Sequence, residues 1–150
     1  KMSDSVSGSL TVNLGCVHIE ENKAYAQFDI RYPVTVNSDV VIKQFEKVAE
    51  NSNLKSEVLN HEKPLYAEKD SELIKVLSEA YKSVTGEEVD IYSTGGGTYA
   101  RKLGGRGVAF GPNFKGDDIR MHNADESVDY NNFFKHAQIC LEAIYRLYTL

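Results

Sequence analysis

Leu10-Thr11-Val12-Asn13-Leu14-Gly15-Cys16 is followed, after the polar link Glu21-Asn22-Lys23, by Ala24-Tyr25-Ala26-Gln27-Phe28-Asp29-Ile30-Arg31-Tyr32. Both runs alternate with the period of a half-buried strand. Leu10, Val12, Leu14 and Cys16 face one way and Thr11, Asn13 and Gly15 the other. In the second run Ala24, Ala26, Phe28, Ile30 and Tyr32 oppose Tyr25, Gln27, Asp29 and Arg31. Two such runs around a short polar link predict an antiparallel hairpin, which Pro33 ends because proline cannot donate to a ladder. Asn37 and Ser38 are good caps for a helix from about residue 38 to 51, with Val41, Phe45, Val48 and Ala49 on one stripe. Leu54 to Leu59 is expected as a further strand, so that one helix lies on an antiparallel sheet.

Beyond His61-Glu62-Lys63-Pro64-Leu65-Tyr66 the pattern changes, and a boundary near residue 62 is expected. Asp70 or Ser71 caps a helix carrying Leu73, Leu77, Ala80, Tyr81 and Val84, and Gly86 ends it. Short strands are expected at Val89-Asp90-Ile91-Tyr92 and Val108-Ala109-Phe110. A final helix is expected from near Asp129, with Phe133, Ala137, Cys140, Leu141, Ile144, Leu147 and Tyr148 on its apolar side. The expected class is α/β, an α+β piece followed by part of a larger α/β sheet, because two short strands make a poor sheet by themselves.

The 150 residues, 41% hydrophobic, suffice for one ordinary domain or two small ones and exclude intrinsic disorder. Twenty-two acidic against 17 basic side chains, a net charge of -5, argue against duplex nucleic acid or an anionic membrane as partner. Apolar runs as short as Val40-Val41-Ile42 cannot span a bilayer. Cys16 and Cys140 lie far apart and outside any metal spacing. With no secretory signal in view, a reduced, cytoplasmic protein is expected.

Eight of the eleven glycines fall between Gly95 and Gly116. Thr94-Gly95-Gly96-Gly97-Thr98 after a strand reads equally as a loop presenting backbone amides to a substrate and as a set of tight turns. No Gly-Lys-Ser/Thr follows it, and its spacing does not fit a dinucleotide site. His122 stands in Met121-His122-Asn123-Ala124-Asp125-Glu126. An imidazole beside carboxylates suits zinc, but a single histidine is equally a surface residue. Arg31 either pairs with Asp29 on the strand face or offers a planar guanidinium to a carboxylate. No cysteine or serine stands in an arrangement that supports nucleophilic catalysis.

Asp29-Ile30-Arg31-Tyr32-Pro33, Pro64-Leu65-Tyr66, Asp70-Ser71-Glu72-Leu73-Ile74, Gly95-Gly96-Gly97-Thr98-Tyr99-Ala100-Arg101, Gly107-Val108-Ala109-Phe110-Gly111-Pro112 and His122-Asn123-Ala124-Asp125-Glu126 occur in this order. Together they resemble the carboxyl-terminal third of the dipeptidase V family, carnosinase-like or Xaa-His dipeptidases among the co-catalytic zinc peptidases. The resemblance implies that residues 1–62 are the distal part of a lid domain and 63–150 the carboxyl-terminal part of the catalytic domain. It implies His122 as a ligand of one of two zinc ions (manganese and cobalt being the alternatives), and Arg31 as the group holding the free carboxylate of a dipeptide. Gly95, Gly96, Gly97 and Thr98 would line the substrate cleft. The family's other ligands, a His-x-Asp motif, a bridging aspartate and a Glu-Glu pair that includes the general base, belong to an amino-terminal segment that this chain does not match. On that reading the chain is a fragment, inactive without the remaining polypeptide, and exposed apolar helix faces would make it self-associate. The competing expectation is a non-catalytic binding or dimerisation module for a small carboxylated ligand.

Overall fold

The computed structural model describes residues 2–111, 113–118 and 120–150. They form a mixed α/β structure of two compact units, one comprising the chain through Tyr66 together with Ser93–Gly97, the other Ala67–Tyr92 and Thr98–Leu150. Pro112, part of one motif quoted above, lies outside the described residues.

The first unit is built on the hairpin. Strands β1 (Ser3–Asp4) and β2 (Gly8–Ser9) form a two-residue antiparallel ladder that the alternation pattern does not reveal. Strands β3 (Thr11–Ile19) and β4 (Ala24–Arg31) pair antiparallel from Thr11 opposite Arg31 to Ile19 opposite Ala24. A bulge between Leu14 and Cys16 shifts the phase, so Leu14 opposes Phe28 but Cys16 opposes Gln27. The expected apolar placement of Cys16 is therefore wrong. A bulge inserts one residue into one strand and reverses which face the following side chains take; Val17 and Ile19 continue the apolar row instead, opposite Ala26 and Ala24.

Helix α1 (Ser38–Asn51) begins where its cap requires, the Asn37 side chain accepting the Asp39 N–H at 2.9 Å. Val41 is buried and Phe45 meets Phe28 of β4 with ring centroids 6.2 Å apart, whereas Val48 of the expected stripe is exposed. The expected strand over 54–59 is not formed. Strand structure exists only as cross-strand hydrogen bonds, and no other strand among the described residues pairs with this segment.

Asp4 ties the amino-terminal loop to the turn after β4. One carboxylate oxygen accepts the N–H groups of Val6 at 3.0 Å and of Ser7; the other accepts the Thr35 hydroxyl at 2.9 Å and the Thr35 N–H at 3.3 Å. The Ser7 hydroxyl, itself bonded to Asp4, accepts the Val34 N–H at 2.9 Å. The Ser7 N–H is the main cause that holds the Asp4 carboxyl far below its ordinary value of 3.8, Thr35 adding to it. A carboxyl depressed on folding stabilises the fold above its unfolded value and loses that contribution as pH falls. Stability is therefore expected to decline as pH drops below about 4, and Asp4→Asn to flatten that decline; urea midpoints of both proteins across acid pH check it.

In the second unit, helix α2 (Glu72–Thr85) starts after Ser71 and stops at Gly86, which takes the left-handed conformation (φ 75°) and returns its N–H to the Lys82 carbonyl at 2.8 Å. A 3-10 turn spans Tyr99–Leu103. Helix α3 (Tyr130–Tyr148) is capped by the Asp129 carboxylate on the Asn132 N–H. The two long helices pack through Leu77 and Ala80 of α2 and Ala143 of α3, with Leu73, Val108 and Phe110 closing the cluster. Alanine on both sides allows close approach of the helices. Ala80 is fully buried, so Ala80→Leu is expected to cost about 1–3 kcal/mol through overpacking, read as a lower urea midpoint at unchanged slope.

Val89–Tyr92 and Val108–Phe110 form no ladder among the described residues, contrary to expectation; Val108 and Phe110 are spent on packing against the helices. The buried side of α3 is also not the predicted one. Ile139 and Ala143 are buried, with His136 and Cys140 half-buried beside them, whereas Phe133, Leu141, Ile144 and Tyr148 are exposed. Periodicity reports which residues are apolar, and an α helix apolar on more than one side does not reveal which side its neighbour takes. Among the described residues no helix is long and apolar enough to cross a membrane.

Candidate active site

Arg31 is the last residue of β4, opposite Thr11. Strand geometry puts Asp29, two residues earlier, on the same face, and the Asp29 carboxylate accepts from Nη2 of Arg31 at 3.1 Å. Nη1 donates to the backbone carbonyl of Gly95. These contacts hold the guanidinium from two sides, though Arg31 remains about half exposed. The surface-pair and ligand-binding readings of Arg31 are thus not exclusive: the aspartate orients a group that keeps donor capacity toward solvent.

The glycine loop explains its own first residue. A Cβ at position 95 would stand 3.1 Å from Nη1 and 3.6 Å from Cδ of Arg31. Glycine lets the guanidinium lie directly on the backbone, a contact that any side chain would crowd. The loop is held further by the Ser93 hydroxyl on the Val6 carbonyl at 3.1 Å and by the Gly96 N–H on the Thr94 hydroxyl at 3.2 Å. Gly95, Gly96 and Gly97 therefore belong to the hairpin unit with Arg31. Thr98 belongs to the second unit, where it precedes the 3-10 turn and its carbonyl accepts the Arg101 N–H at 3.2 Å.

His122 lies in the second unit on an exposed, tightly turned segment. Its φ is +63°, and Arg120 and Asp125 are also left-handed, at +49° and +61°. Non-glycine residues in that region cost energy, and such positions concentrate at functional sites. The His122 N–H donates to Glu126 at 3.4 Å, and the Asn123 N–H to the Arg120 carbonyl at 2.8 Å. The residue is exposed. Among the described residues, no group of three or more histidine, cysteine, aspartate or glutamate side chains is placed to hold a metal by itself.

Sequence reading missed two things here. The contact of Arg31 with Gly95 joins residues 64 apart, which no local pattern encodes. The Asp4 cluster had a signal, an aspartate before Ser-Val-Ser-Gly that suits a side-chain-to-backbone turn, but its second partner at Thr35 had none.

The profile of Peptidase family M20/M25/M40 matches residues 5–146, and the chain belongs to this family. It is 36% identical over 145 residues to "Putative dipeptidase YtjP" of Bacillus subtilis, covering 96% of this chain and 30% of that protein. It is 32% identical over 148 residues to a "Putative dipeptidase" of Staphylococcus epidermidis, covering 98% and 31% respectively. The chain thus spans about a third of the length of these curated relatives.

Proposed function

We propose that this chain is the carboxyl-terminal part of a zinc-dependent dipeptidase, with residues 1–62 as the distal part of its lid and 63–150 as the end of its catalytic domain. The observation that carries this reading is the guanidinium of Arg31, oriented by Asp29 and seated on the Gly95 carbonyl, in a family member with relatives named as dipeptidases. A planar fork held in this way suits the terminal carboxylate of a short peptide. Gripping that carboxylate fixes the distance to the scissile bond and favours substrates of two residues. Gly95, Gly96 and Gly97, in the same unit as Arg31, line the cleft, and the absence of side chains at the three glycines admits the peptide backbone.

His122 supplies one imidazole to a site for two zinc ions, whose remaining ligands, with the general-base glutamate, come from polypeptide beyond the described residues. Metal held there would supply an activated water and polarisation of the scissile carbonyl. The Glu126 contact to the His122 backbone supports the turn that presents the ring. Two free cysteines, Cys16 and Cys140, suit a reduced cytoplasmic setting. The exposed Leu141, Ile144 and Tyr148 of α3 support association with the rest of the enzyme or, without it, with further copies.

The test compares the 150-residue chain with the full-length enzyme in a dipeptide hydrolysis assay with zinc. Activity only in the longer protein is expected. Hydrolysis by the short chain, or none by the long one with any of zinc, manganese and cobalt, would overturn the reading.

A further inference from the structure

On α3, one turn apart, the Nε2 atom of His136 and the thiol of Cys140 lie 3.4 Å from each other. Both side chains are half-buried, and neither has a part in the site proposed above. Residues four apart on a helix share a face, and here the two donor atoms converge rather than diverging into solvent. The two atoms are within hydrogen-bond distance, the donor being set by the tautomer of the ring.

We infer that His136 and Cys140 form a bidentate site for a thiophilic divalent ion of the zinc class, the ion taking the place of the hydrogen bond between them. Zinc–sulfur and zinc–nitrogen bonds of about 2.3 and 2.0–2.1 Å at a near-tetrahedral angle set the two donors roughly 3.5 Å apart. The observed 3.4 Å matches that separation. Binding converts the thiol to a metal-bound thiolate and releases one proton to solvent, and water completes the coordination. A thiolate with an imidazole favours zinc or cadmium over magnesium or calcium.

Cadmium is the probe, because its thiolate complexes absorb in the ultraviolet through charge transfer. The titration is done on Cys16→Ser, which leaves Cys140 as the sole thiol of these 150 residues. The expected result is a saturable band accompanied by release of one proton per ion. The band should vanish in C16S/C140S and persist unchanged in C16S/H122Q. In C16S/H136Q the affinity should fall by at least about tenfold, since loss of even an outer-shell partner of a metal ligand costs roughly 10–100-fold. Circular dichroism of each variant separates lost binding from lost folding. Absence of the band in C16S, an affinity untouched by H136Q, or loss of the band in H122Q would each overturn the inference.

Discussion

Replacing His122 by glutamine in the full-length enzyme is expected to lower the affinity for one zinc ion and kcat/KM by at least about 100-fold each, bound zinc falling from two ions per chain toward one. Removal of an outer-shell partner alone costs roughly 10–100-fold in metal affinity or activity, and loss of the ligand itself costs no less. Glutamine keeps the polarity of the side chain, and circular dichroism checks that the left-handed backbone at His122, which histidine tolerates better than most residues, survives the change. Metal content after gel filtration is the decisive readout. A variant that keeps its full complement of zinc and its activity would remove His122 from the metal site.

Arg31→Ala should act on a different quantity. Hydrogen bonds to charged groups contribute about 1.5–3 kcal/mol, so loss of the clamp should raise KM for dipeptides by roughly 10–150-fold. The effect on kcat should be smaller if ground state and transition state use the clamp alike. Arg31→Lys keeps the charge but cannot reach Asp29 and Gly95 with one planar fork, and should recover only part of the loss. Gly95→Ala offers a milder version of the same damage, because its Cβ would crowd Nη1 at 3.1 Å. Bound zinc should remain at the wild-type level in all three, which separates this site from His122.

Much of the fold could be read from local chemistry. Asn37 and Asp129 cap their helices through their side chains and Gly86 ends one, as expected, since a helix terminus is specified by the few residues that satisfy its free backbone groups; Ser71 stands at the start of its helix, but its hydroxyl makes no capping bond. The hairpin followed from alternation, yet its phase after Gly15 did not. A bulge is a cooperative choice of both strands, and one strand's pattern does not show it. The three missed strands share a cause: alternation describes a surface waiting for a partner, and pairing is a long-range event. The buried side of α3 failed similarly, because only the position of α2 selects Ile139 and Ala143 over the more apolar Leu141 and Ile144.

The candidate site divides along the same line. Arg31, the glycine loop and His122 stood out through residue type and motif order. That Arg31 rests on Gly95 depends on a contact across 64 residues, and this contact turns an exposed strand arginine into an oriented group. Asp4 acts at the same end of the hairpin, fixing the turn at Val34 and Thr35 just beyond Arg31.

The most direct measurement pits a dipeptide against the same dipeptide with its terminal carboxyl blocked as an amide, using the intact enzyme and its Arg31→Ala variant. An arginine that reads the carboxylate makes the enzyme prefer the free acid by a large ratio of kcat/KM, and that preference should collapse toward unity in the variant. If both enzymes keep the same preference, the guanidinium serves only to pin the hairpin to its loop, and the assignment of this chain to a carboxylate-gripping dipeptidase is wrong.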